Sequence, residues 1–119
     1  MSEEGEMTLV FHALAHESRR KIMDLLKARP GVGVGELASE FDVSRIAVMS
    51  HLAVLEGAGL VVSEKQGRTR RLYTNVAPIQ MIYDRWISDY AAHWAKRLTS
   101  IKYAAEAAAS KTTRRGKAE

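Results

Sequence analysis

Asp42-Val43-Ser44-Arg45-Ile46-Ala47-Val48-Met49-Ser50-His51-Leu52-Ala53-Val54-Leu55-Glu56-Gly57-Ala58-Gly59 is the stretch on which the fold turns. Asp42-Val43-Ser44 reads as a turn ending in a good N-cap, so a helix begins at Arg45. Val48, Leu52 and Leu55 fall at i, i+4 and i+7 and give that helix one apolar stripe. Gly57 and Gly59 end it. Opposite the stripe, Ile46, Ala47 and Ser50 point outward, with Arg45, Met49 and His51 on the flanks. A helix anchored on one face and free on the other can enter a major groove. Ser44 and Arg45 stand where they reach phosphate or base edges, and arginine is the usual bidentate reader of guanine. Ile46, Ala47 and Met49 are less polar than groove-facing residues usually are. They suit thymine methyl groups, or else one or two of them pack on core or sugar.

Downstream the period changes from helical to strand-like. Leu60-Val61-Val62-Ser63-Glu64-Lys65 is β-prone, Gln66-Gly67 suits a turn, and Arg68 to Thr74 returns, which makes a hairpin. Lys65, Arg68, Arg70 and Arg71 gather towards its tip. Upstream, Leu9, Val10, Ala13 and Leu14 mark a helix over Met7–Leu14. A second helix spans about Glu17 to Lys27, with Ile22, Met23, Leu25 and Leu26 inward and Arg19, Arg20, Lys21 and Asp24 on the wetter side. Pro30, Gly31 and Gly33 interrupt the pattern. A short third helix, Val34 to Phe41, follows with Leu37 and Phe41 inward. The order of two short helices, a turn, an N-capped helix and a basic hairpin predicts a mainly α fold with a β-hairpin wing, a winged helix-turn-helix.

A long last helix starts near Pro78, which suits a first helical position. Ile79, Ile82, Tyr83, Trp86, Ile87, Tyr90, Trp94, Leu98 and Ile101 follow at three- and four-residue steps. That stripe is broader than a small helical core covers, and exposed apolar surface of that extent marks an interface. Pairing of the first helix, through Leu9, with the last helix across a two-fold axis buries it. The segment 1–109 therefore reads as one DNA-binding and dimerisation domain, and 110–119 as a basic, disordered tail.

At 119 residues, with 46% hydrophobic and 27% charged residues, the chain suits one ordinary globular domain. Its net charge of +4 favours a polyanionic partner. Cysteine is absent, which excludes disulfides, a thiolate nucleophile and cysteine-ligated metal. The acidic start, Met1 to Glu6, lacks the character of a signal peptide, and no apolar run is long enough to span a bilayer. A cytoplasmic protein without a membrane partner is expected.

Several motifs resemble those of ArsR-family regulators. Phe11-His12-Ala13-Leu14-Ala15-His16-Glu17-Ser18-Arg19-Arg20-Lys21-Ile22 resembles the family's opening segment. Gly35-Glu36-Leu37-Ala38, Val43-Ser44 and Val48 to Val61 resemble its helix-turn-helix, and Gly67 to Tyr73 its wing. The resemblance spans about Leu9 to Val76. It implies a homodimeric repressor that occupies double-stranded promoter DNA and leaves when a signal arrives. Met49-Ser50 and His16-Glu17-Ser18 depart from the commoner family pattern.

Many ArsR-type regulators sense metals, but a thiolate site is excluded here. His12/His16 and Asp89/His93 are each one turn apart, and a single pair makes a poor zinc site. No metal and no cofactor are expected, and the Trp86-Ile87 and Trp94 pattern resembles a metal-independent branch whose members often accompany START-like proteins. An unknown small-molecule effector among Trp86, Tyr90 and Trp94 is the alternative to dimer core. Gly31, Gly33 and Gly35 lack the strand and spacing of a dinucleotide site, and no catalytic constellation appears, so an enzyme is not expected. The rival function is a winged-helix protein-interaction module that does not bind DNA itself.

Overall fold

The computed structural model describes residues 2–118, with side chains described at all of them except 88 and 111–118. In chain order the elements are α1 (Glu3–Leu14), α2 (Glu17–Ala28), β1 (Val32–Gly33), α3 (Val34–Ala38), α4 (Arg45–Gly57), β2 (Val61–Gln66), β3 (Thr69–Thr74), α5 (Ala77–Trp86) and α6 (Ser88–Ala118). Contacts divide the chain into two units, Met1–Met81 and Ile82–Glu119, so the division falls inside α5.

In the first unit α1 starts a turn earlier than its apolar residues suggest. The Ser2 hydroxyl accepts from the Gly5 N–H at 3.1 Å, and Glu3, Glu4 and Glu6 occupy the first turn. A cap and acidic residues at the positive end of the helix dipole stabilise a segment with little apolar content. α2 carries Arg19, Ile22 and Leu26 on its buried face. α3 ends at Ala38 rather than Phe41, because the Glu40 and Phe41 N–H groups bond only three residues back, to the Leu37 and Ala38 carbonyls. Phe41 is half-buried beneath Lys21, whose ammonium lies 4.5 Å from the ring centroid.

α4 keeps the bounds expected of it. The Ser44 hydroxyl accepts from the Ala47 N–H at 3.1 Å. At the other end Gly59, at φ +75°, allows Leu60 N–H to bond the Leu55 carbonyl and Gly59 N–H to bond the Glu56 carbonyl. Those two bonds form a Schellman motif, and Leu55 and Leu60, both buried, supply its apolar contact. Ile22, Leu26, Leu37, Val48, Leu52, Leu55, Leu60 and Leu72 are the largest fully buried side chains. Each contributes on the order of 1.5–3 kcal/mol by leaving water.

The wing is part of a three-stranded antiparallel sheet of order β1-β3-β2. β1 lies where Pro and Gly mark a break in the sequence. Val32 pairs with Leu72 and Gly33 with Arg71. Gln66 pairs with Thr69, so the tight turn is Gly67-Arg68 rather than Gln66-Gly67. Gly67 has φ +60°, and among the described residues no non-glycine has positive φ, the pattern of a turn with glycine first.

The second unit holds the end of α5 and all of α6. The single long helix expected from Pro78 is instead two, parted at Ile87. The backbone stays helical to Ala118, beyond the end expected near Ala109. Ala104 to Ala109, rich in alanine, favours helix, and no glycine or proline interrupts before Gly116.

Candidate nucleic-acid interface

α4 meets the core through Val48, Leu52 and Leu55, all buried. Their spacing leaves Ser44, Arg45, Ile46, Met49 and Ser50 exposed and Ala47 half-buried. Among the described residues, the side chains of Arg45, Lys65 and Arg68 make no hydrogen bond or ion pair, and all three are exposed. An open cleft of about 330 Å³ lies between α3, α4 and the wing. Arg45, Met49, Arg68, Thr69 and Arg70 line it, with Gly33 to Glu36 across from them. The first turn of the recognition helix and the wing tip therefore share one face, where cations able to reach phosphates flank a groove-sized helix.

Two of the expected contacts are engaged within the protein. His51 is half-buried rather than groove-facing. Arg19 reaches it, with Nη1 3.2 Å from Nδ1, while its Nε donates to the Ala13 carbonyl at 2.7 Å and its Nη2 to the His12 carbonyl at 3.1 Å. The His16 ring lies 4.5 Å from the His51 ring, tilted by 46°. Burial, then the neighbouring His16 and Arg19, lower the His51 pKa from its ordinary 6.5. His16 itself caps α2, its Nδ1 accepting from the Ser18 N–H at 3.1 Å. Arg70 is the second. Its Nη2 donates to the Glu56 carboxylate on the last turns of α4 and to the Ser63 hydroxyl at 3.1 Å. Its charge is balanced within the protein, whereas Lys65 and Arg68 are exposed without an ion pair, and the half-buried Arg71 donates to the Gly31 carbonyl at 3.4 Å.

Arg19 and Glu56 were not singled out in the sequence, and both matter to this face. Arg19 lay in the supposed wetter side of α2, yet it is 8% exposed. Its position three before Ile22 and seven before Leu26 is the buried phase of that helix, and that spacing was the available signal.

Of the residues expected at a dimer interface, Leu9, Ile79 and Ile82 are half-buried. Tyr83, Trp86, Ile87, Tyr90, Trp94 and Leu98 are exposed in the single chain. Among the described residues no three His, Asp or Glu side chains gather as a metal site, and no helix is long and apolar enough to cross a membrane.

An outward-facing N-capped helix beside a basic ribbon defines a winged helix-turn-helix DNA-binding protein. Residues 14–64 match a helix-turn-helix domain family. Over 89 residues the chain is 37% identical to an uncharacterised HTH-type transcriptional regulator of Bacillus subtilis, YuzN, covering 70% of this chain and 97% of that one. It is 34% identical over 62 residues to the transcriptional repressor SdpR of the same organism, covering 52% and 68% of the two chains. An ArsR-like transcriptional regulator from Rhodococcus sp. RHA1 superposes with a TM-score of 0.64 at 36% identity, over 87% of this chain and 93% of that one. The chain belongs to the ArsR family of winged helix-turn-helix transcriptional regulators. It is a DNA-binding regulator, not the interaction module that stood as the rival reading.

Proposed function

We propose that the chain works as a homodimeric, metal-independent cytoplasmic repressor that covers a promoter and is released by a signal. The observation that carries this is that the side chains of Arg45 and Arg68, exposed and unpaired among the described residues, line one cleft with Met49 of α4, and that Lys65, exposed and unpaired too, lies on the same hairpin as Arg68. Cations that the fold does not neutralise are available to displace counterions from a duplex. The relative named a transcriptional repressor supports the sign of regulation. The exposed aromatic and aliphatic run on α5 and α6 supports a second copy as partner. Two copies then place their recognition helices roughly 34–36 Å apart, facing an imperfect palindrome. The protein acts by binding rather than catalysis: Ser50 and His51 adjoin on α4, but His51 is turned to Arg19. A gel-shift titration with the DNA upstream of its own gene tests the reading, with tighter binding expected there than to unrelated duplex and a steep loss with salt. Absence of salt-sensitive binding to any duplex by the folded protein would overturn it.

A further inference from the structure

Ile46, Met49, Ser50 and Ala53 stand at i, i+3, i+4 and i+7 and form the outward strip of α4. Ile46 is 81% exposed and Met49 43%. The strip carries one hydrogen-bonding side chain, the Ser50 hydroxyl. Ile46 sits in the first turn after the Ser44 cap, where its methyls bury little within the fold and its branched side chain has few rotamers. Arg45 stands beside it, and Met49 faces the cleft that Arg68 also lines.

Cations thus frame a strip that is itself apolar. Charges that seek phosphates bring the strip against base edges, and an alkyl side chain finds one matching feature there, the C5-methyl of thymine. We propose that the recognition helix reads its operator through thymine methyl groups, with Ile46 the principal reader and Met49 the second. Ile46 holds its methyls in a fixed place, whereas unbranched Met49 adapts to the groove wall. The proposal rests on the regulator reading, since duplex DNA is the occupant it assigns to the strip.

The test uses a duplex enriched by the full chain from a randomised pool, resynthesised with deoxyuridine in place of one thymidine at a time. Uracil lacks only the methyl. At one or two positions in each half-site the substitution should weaken binding roughly fourfold, the cost of one unburied methyl. Ile46→Ala should bind thymine and uracil duplexes equally at its own position while keeping the wild-type melting temperature and salt slope. Met49→Ala should do the same at a neighbouring position. If wild type binds every uracil duplex as tightly as the parent, the inference falls and the regulator reading stands. It falls equally if discrimination at each position survives in both variants. Failure to enrich any duplex would overturn both.

Discussion

Arg19, Arg20 and Lys21 follow one another on α2, and only Arg19 folds under. It joins the last carbonyls of α1 to the imidazole of α4, with three nitrogens engaged. The bond from Arg19 needs an unprotonated Nδ1 on His51. With its pKa held below 6.5 by burial and by His16 and Arg19, folded His51 gives up its proton at a lower pH than unfolded His51. Between those two pKa values the unfolded state binds more protons, so stability rises with pH across that window and is complete above about 6.5. Wild-type protein should therefore melt at falling temperature as pH drops from 7 to about 5. His51→Asn, which keeps an acceptor for Arg19 but cannot titrate, should show a shallower fall over the same range. An equal slope in the two proteins would assign the effect elsewhere. His51 and Arg19 show what the sequence offered and what was passed over. Each stands in the inward phase of its helix, His51 three after Val48 and four before Leu55. Side-chain type, a cation or an imidazole, outweighed phase in reading them as surface residues. Ser44 was legible because a cap is a local contact, complete within four residues.

The helix and the wing act together at the scale of elements. Arg68, at the turn, is uncompensated, whereas Arg70 lies on the Leu72 face of β3 and is neutralised by Glu56. Arg68→Ala should lower the salt slope of DNA binding by about one for each protomer. Arg70→Ala should leave that slope close to wild type, because it removes a charge already balanced. Its effect belongs in the seating of the hairpin. Fluorescence titrations at several salt concentrations separate the two, and equal slope changes would show that DNA draws Arg70 away from Glu56. β1 marks the limit of local reading. Two residues between a proline and a helix carry no strand period, and they become a strand only because Leu72 and Arg71, some forty residues on, present a free edge. The break at Ile87 was hidden for the opposite reason, since apolar residues continue at helical steps straight through it.

At the scale of the whole molecule, the single chain leaves Trp86, Tyr90, Trp94 and Leu98 exposed, the first at 52%. Large aromatic side chains dominate the energetics of interfaces. Trp86→Ala should weaken self-association by about tenfold or more, read as a shift in the sedimentation profile with concentration. An unchanged profile would remove this helix from the interface. DNA affinity should fall in parallel, since two linked recognition helices gain over one. The tie between Arg70 and Glu56, together with the pairing of β1 to β3, has a further effect on such a dimer. On the proposed reading it makes each protomer a caliper with a set opening. The spacing from Met49 on α4 to Arg68 at the wing turn is then set within the protomer, and with it the distance between the base and phosphate contacts proposed for them. A duplex with one extra base pair between those two contacts is longer by about 3.4 Å. On such a duplex one contact should hold and the other be lost, read as weaker binding with a shallower salt slope.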